Sequence, residues 1–160
     1  MSILDEPSTV SLLVAELDDA LPGEHYVSWA LDLLGTYDSP SLLRLAIEEP
    51  PYFTPDLARL FRATFAELGV PFPAPVDALR LRARHIAREA LAGFLPLSEA
   101  TSQLCHLAES HEGVPDGAFW QAADEAPIFD YCSDFAMKGH TSLEAAIRSH
   151  LTALLADVAG

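Results

Sequence analysis

Paired cysteines, glycine-rich loops, long apolar runs and strand signals are all scarce in this chain. Its two cysteines, Cys105 and Cys132, stand 27 positions apart with no CxxC and no second pair. That spacing suggests neither a disulfide framework nor a zinc ribbon, and makes reduced, buried thiols the expectation. Glycine totals eight, and no phosphate-cradling glycine loop, GxSxG elbow or HExxH pair occurs. No cofactor is therefore implied, and a non-enzymatic role is expected. Nowhere do 18 apolar residues run together, which excludes an ordinary transmembrane helix. The opening MSILDEPSTVSLLVAELDD lacks a basic leader, and Asp5, Glu6, Glu16, Asp18 and Asp19 interrupt its apolar residues. It resembles neither a signal peptide nor a transit peptide, so the expected location is the cytoplasm.

Positive charge is scarce too. Nine Lys and Arg face 24 Asp and Glu, for a net charge of −15. A field of this sign repels phosphate backbones, which argues against a nucleic-acid partner and attracts a basic protein. The charge is uneven: residues 1–50 carry −9, residues 51–100 carry +1 and residues 101–160 carry −7. Against these absences, half of the residues are hydrophobic and only 21% are charged, which does not fit disorder. A chain of 160 residues can bury roughly 70% of its unfolded surface, so one domain spanning residues 1–160 is expected.

Helix signals recur along the whole length. SPSLLRLAIEEP starts with Ser39 as an N-cap and Pro40 at the first helical position, then stops before Pro50 and Pro51. TPDLARLFRATFAELG repeats the device with Thr54, Pro55 and a terminating Gly69; Leu57, Leu60, Phe61, Phe65 and Leu68 form its apolar stripe. Upstream, VSLLVAELDDAL and GEHYVSWALDLLG read as two helices, with Trp29, Leu33 and Leu34 in the core. VPFPAP, residues 70–75, is an extended proline-rich connector and the one candidate linker. PVDALRLRARHIAREALAGF predicts a long helix ending near Gly93, with Leu79, Ile86, Ala87, Ala90 and Leu91 facing inward. PLSEATSQLCHLAESHEG predicts another, capped by Ser98 and ended by Gly113. PDGAFWQAADEAP and IFDYCSDFAMKG predict two shorter ones. HTSLEAAIRSHLTALLADVAG begins with Thr141 at the N-cap and Glu144 three positions on, the pattern of a capping box. No period of 33–47 residues repeats, which favours an irregular orthogonal bundle over a repeat array. The expected fold is all-α, a single-domain orthogonal bundle of eight to nine helices.

Three stretches concentrate reactive side chains. CHLAESHE, from Cys105 to Glu112, offers a thiol, two imidazoles and two carboxylates. Cys105, His106, Glu109 and His111 are accordingly the candidate ligands of a small metal- or thiol-dependent enzyme, the alternative to a binding role. Helical metal sites place ligands three or four residues apart. His106 and His111 are five apart, which separates them by about 140° on a helix. His111 instead stands where a histidine can bond the last carbonyls of a terminating helix. Cys132 has Asp130 and Asp134 as neighbours rather than a base and a positive field, and shares helical spacing with Phe129 and Ala136, so it reads as a core residue. Arg80, Arg84 and Arg88 form a ridge on one helix face, read first as ion pairs with acids such as Asp77 and Glu89 and alternatively as a contact for an anion or a partner. Adjacent carboxylates at Asp18–Asp19, Glu48–Glu49 and Asp124–Glu125 diverge by about 100° and make poor acid–base dyads.

The remaining cluster mixes rings with carboxylates. GAFWQAADEAPIFDYCSDF interleaves aromatics with acids, and Asp116, Trp120, Asp124, Glu125, Asp130, Tyr131 and Asp134 are the candidate partner-binding residues. Charge would raise the association rate and the rings would supply affinity for a basic protein.

From about Asp77 to Leu155 the chain resembles a group of small bacterial helical proteins of uncharacterised role. The resemblance lies in IAREALAGFLPLSEATSQLCHLAE, where a helix ends in a glycine turn and a short LPLSEA entry opens the next, and in the acidic segment before the closing amphipathic helix. Ala100 stands near a position where those proteins carry glycine, and the tryptophan that follows it there is absent here. The resemblance implies an all-α bacterial domain and brings no catalytic residue. By class, small acidic helical bacterial proteins include immunity proteins against toxins. The expectation is thus an acidic interaction module, an immunity-type inhibitor or accessory protein, with a basic protein as its partner.

Overall fold

The computed structural model describes residues 2–18, 21–111 and 140–156. Among them the chain forms seven α-helices and no β-strand, so the all-α class holds. The helices are α1 (Pro7–Ala15), α2 (Gly23–Leu33), α3 (Pro40–Ala46), α4 (Thr54–Glu67), α5 (Pro75–Leu91), α6 (Leu97–Glu109) and α7 (His140–Ala156). A 3₁₀ turn, Ile3–Asp5, precedes α1 and is closed by a capping box between Ser2 and Asp5. The two short helices expected between Pro115 and Gly139, with Cys132, lie outside the described residues. None of the described helices is long and apolar enough to cross a membrane.

The chain divides into two compact units, residues 1–78 and 79–160. The first is built around aromatic rings. Phe61, fully buried on α4, meets Tyr26, Trp29, Phe65 and Phe72 edge-on, with centroids 4.7 to 5.7 Å apart. Such pairs add about 0.5–1.5 kcal/mol each beyond their buried area. The proline-rich stretch takes part: Phe72 meets Phe65 edge-on at 5.0 Å, and the Arg62 guanidinium lies 4.7 Å from the Phe72 ring centroid. Trp29 donates its buried Nε1–H to Thr9 Oγ1 at 2.9 Å, joining α2 to α1. Close approach of the chain is met by Gly23, where an added Cβ would lie 2.5 Å from Tyr52 Cβ and 2.9 Å from Leu57 Cδ1.

Most of the expected stripe residues are buried, while Leu68 and Leu91 are half-buried. Leu57, Leu60, Phe61 and Phe65 are buried on α4, Leu79, Ile86, Ala87 and Ala90 on α5, and Ala100, Leu104 and Leu107 on α6. Gly69 and Gly93 close α4 and α5 in Schellman motifs, with Val70 N–H on Phe65 O and Phe94 N–H on Glu89 O, both at 2.9 Å.

Several local expectations are corrected. Leu34 is exposed rather than in the core: α2 stops at Leu33, and Leu34 turns extended at φ −62°, ψ 128°, carrying its side chain outward. Thr54 is the first residue of α4, and the cap position falls to Phe53 without a side-chain hydrogen bond. Ser98 lies inside α6, which Pro96 precedes in an extended conformation. Thr141 falls one residue inside α7. At the N-termini of α4, α6 and α7 the helix takes up one or two residues more than the capping pattern indicates.

Candidate functional site

The turn between α2 and α3 forms an open cleft of about 530 Å³ lined by residues of the segment 34–43, within the size range of ligand-binding clefts. Its walls follow from the sequence. After Leu33 ends α2, the chain reverses through Gly35, whose φ of +88° suits glycine. Thr36 N–H then returns to Leu33 O at 3.0 Å. Ser39 and Pro40 start α3, with the Ser39 Oγ accepting Leu42 N–H at 3.1 Å. Leu42 is buried at the base of the cleft, while Leu34 and Leu43 stand at its rim, 45% and 55% exposed.

Apolar exposure extends beyond the rim. Leu31, one turn before Leu34, is 56% exposed, and Ile47, one turn after Leu43, is 70% exposed. Four large aliphatic side chains are thus exposed within residues 31–47, two of them lining the cleft. Asp38 lines the cleft, and Glu48 and Glu49 directly follow Ile47.

Two carboxylates hold this turn in place. Tyr37 donates its hydroxyl to Glu6 Oε1 at 2.9 Å, and burial together with that carboxylate pushes the phenol up to about 12. On the other side Glu67, at the end of α4, accepts the Ser39 hydroxyl at 2.5 Å, the Ser41 N–H at 3.0 Å and the Ser41 hydroxyl at 2.6 Å. Those bonds hold its carboxyl below the usual value, and the negative charge sits at the N-terminus of α3, where the helix dipole favours it. The cleft is therefore a braced feature rather than a loose loop.

A second cleft, of about 390 Å³, lies between α1 and α2 over Trp29 and Leu12. Its exposed members, Ser11, His25, Ser28 and Asp32, are polar. Nearby, Glu16 accepts the Tyr26 hydroxyl at 2.7 Å and pairs with Arg62 at 3.3 Å. Burial, then the Glu16 bond, raises the Tyr26 phenol far above its ordinary value. This network ties α1, α2 and α4 together and is structural.

The sequence-predicted sites fall as follows. Asp116, Trp120, Asp124, Glu125, Asp130, Tyr131 and Asp134 lie outside the described residues. In the CHLAESHE stretch, α6 runs to Glu109 and Ser110 caps it. Cys105 is half-buried, His106 and Glu109 are exposed, and His111 is buried. His111 Nδ1 lies 2.9 Å from Leu107 O; a carbonyl only accepts, so that nitrogen carries the ring proton. Among the described residues no three His, Cys, Asp or Glu side chains come together as a metal-binding group. Along α5, Arg82 reaches Gln103 Oε1 at 3.4 Å and His85 lies 3.4 Å from Glu89. Arg80 and Arg84 are half-buried and Arg88 is exposed.

The sequence places Leu34 in the core and singles out neither Leu43 nor Ile47, whereas all three are exposed. For Leu43 a signal was present in the adjacent pair Leu42–Leu43 on α3: neighbours on a helix diverge by about 100°, so with Leu42 buried Leu43 faces away from the core. No protein-family model matches the chain, and no curated protein or solved structure shows significant similarity to it.

Proposed function

We propose that this protein is a non-enzymatic, acidic interaction module that binds a basic protein partner, acting by steric and electrostatic blocking as an immunity-type inhibitor or accessory protein. One observation carries the proposal: the unit of residues 1–78 joins strong negative charge to an exposed aliphatic surface around a braced cleft. Thirteen carboxylates against three arginines give that unit a net charge of −10. Charge of this density accelerates encounter with a cationic partner, and apolar contact then supplies residence time. The carboxylates and aromatics of residues 116–135, which lie outside the described residues, are part of the same proposal as contacts to the basic partner.

The test is capture by the immobilised protein at low and high salt. The expected outcome is a cationic protein whose capture weakens with salt and falls further when Asp130 and Asp134 are changed to Asn. Capture that is indifferent both to salt and to these changes, or no cationic partner at either salt, would refute the proposal.

A further inference from the structure

We infer that the surface of Leu34, Leu43 and Ile47 receives one amphipathic helix of the partner, rich in lysine or arginine, with its apolar residues seated over the cleft. The inference rests on the proposed function and names the element that would be recognised. Leu34, Leu43 and the buried Leu42 line the cleft, and the exposed Ile47 lies four residues beyond Leu43 at the end of α3. An amphipathic helix presents side chains at i, i+3, i+4 and i+7 along one face. Strand addition has nothing to extend, because the described residues hold no β-strand and only an isolated bridge between Leu34 and Tyr37.

Charge selects the sign of the helix. Asp38 lies in the cleft, and Glu48 and Glu49 stand just beyond Ile47. Between residues 31 and 49 the sequence holds four acids against Arg44 alone. Basic residues flanking an apolar stripe would meet these carboxylates. A second copy of this chain is disfavoured, since it would bring −15 against −15. The bonds from Tyr37 to Glu6 and from Ser39 and Ser41 to Glu67 fix the turn before any ligand arrives, which lowers the ordering cost of binding.

The experiment uses the full chain and two synthetic peptides of identical lysine and leucine content. One places leucine at i, i+3, i+4 and i+7; the other scrambles the order. Binding is followed by fluorescence anisotropy and by leucine and isoleucine methyl shifts in NMR. We expect the patterned peptide to bind at least about tenfold more tightly than the scramble, to shift Leu34, Leu43 and Ile47 methyls, and to lose about tenfold in a Leu34→Ala, Leu43→Ala double variant. Both leucines are exposed, and circular dichroism checks that the variant folds. Equal binding of the two peptides, or an unaffected double variant, would overturn the inference. So would self-association of the protein alone that the double variant abolishes, which would assign the face to a second copy. If the patterned peptide fails while salt-sensitive capture of a basic protein persists, this inference falls alone; if both fail, the proposed function falls with it.

Discussion

Glu67 Oε2 accepts the hydroxyl of Ser39 at 2.5 Å, while the same Ser39 oxygen accepts the N–H of Leu42 at 3.1 Å. One buried hydroxyl thus caps α3 and ties it to the end of α4. Changing Ser39 to Ala removes both bonds at once. Loss of the cap alone costs about 1 kcal/mol, and the lost bond to a carboxylate raises the total to about 2 kcal/mol. Urea unfolding should show this decrease, with faster hydrogen exchange at Leu42.

The same carboxylate predicts an acid dependence. Hydrogen bonds from Ser39 and Ser41 lower the Glu67 pKa, so the folded state binds its proton less readily than the unfolded state. The stability gained is present above the unfolded value, about 4.3, and is lost as pH falls through the folded value. A stability profile measured down through this range should fall, and Glu67→Gln should be less stable near neutrality and show a shallower acid slope. Identical slopes in the two proteins would contradict the prediction.

Much of this architecture was legible in the sequence. Ser39–Pro40 and the Leu57–Phe65 stripe announced α3 and α4 because a cap, a fixed φ and a helical apolar period all agreed. Leu34 was misread because periodicity does not mark where a helix stops; one extended residue after Leu33 moves a predicted core side chain into solvent. The brace between Glu67 and Ser41 joins residues 26 positions apart, and no local pattern encodes such a pairing. Thr54 and Ser98 looked like caps, but proximity to a helix start does not determine which residue leaves the helical region.

Alkaline titration gives the opposite sign. The phenol of Tyr37 is pushed up to about 12 and that of Tyr26 higher still, in both cases by burial first and by a carboxylate second. Two of the four tyrosines should therefore ionise late in a spectrophotometric titration of the folded protein. Raised values mean that the folded state holds protons that the unfolded chain has released. Their stabilisation is full below about 10 and disappears as pH rises through the folded values. Glu6→Gln should move the Tyr37 transition back toward the ordinary value and leave Tyr26 in place.

Trp29 offers a test of the core of the first unit. Its Nε1–H reaches Thr9 Oγ1 at 2.9 Å, and both residues are buried. Thr9→Val keeps the shape but removes the acceptor, leaving an indole donor without a partner. The expected cost is about 1–3 kcal/mol, read by thermal or chemical unfolding. A value near zero would mean that the indole finds another acceptor.

The last turn of α6 separates a capping histidine from a metal ligand. Leu107 O is among the carbonyls that a helix leaves unpaired at its C-terminus, and His111 Nδ1 meets it at 2.9 Å. With the proton on that nitrogen, the ring serves the helix end. His111→Ala should therefore lower stability by about 0.5–1.5 kcal/mol, with faster exchange confined to the end of α6. A zinc site would behave differently, because a metal bound only by the folded state raises Tm with concentration. For protein purified without a histidine tag, added zinc should leave Tm unchanged in the wild type and in Cys105→Ser alike. A zinc-dependent rise that Cys105→Ser or His106→Ala removes would reinstate the metal enzyme that the composition of CHLAESHE first suggested.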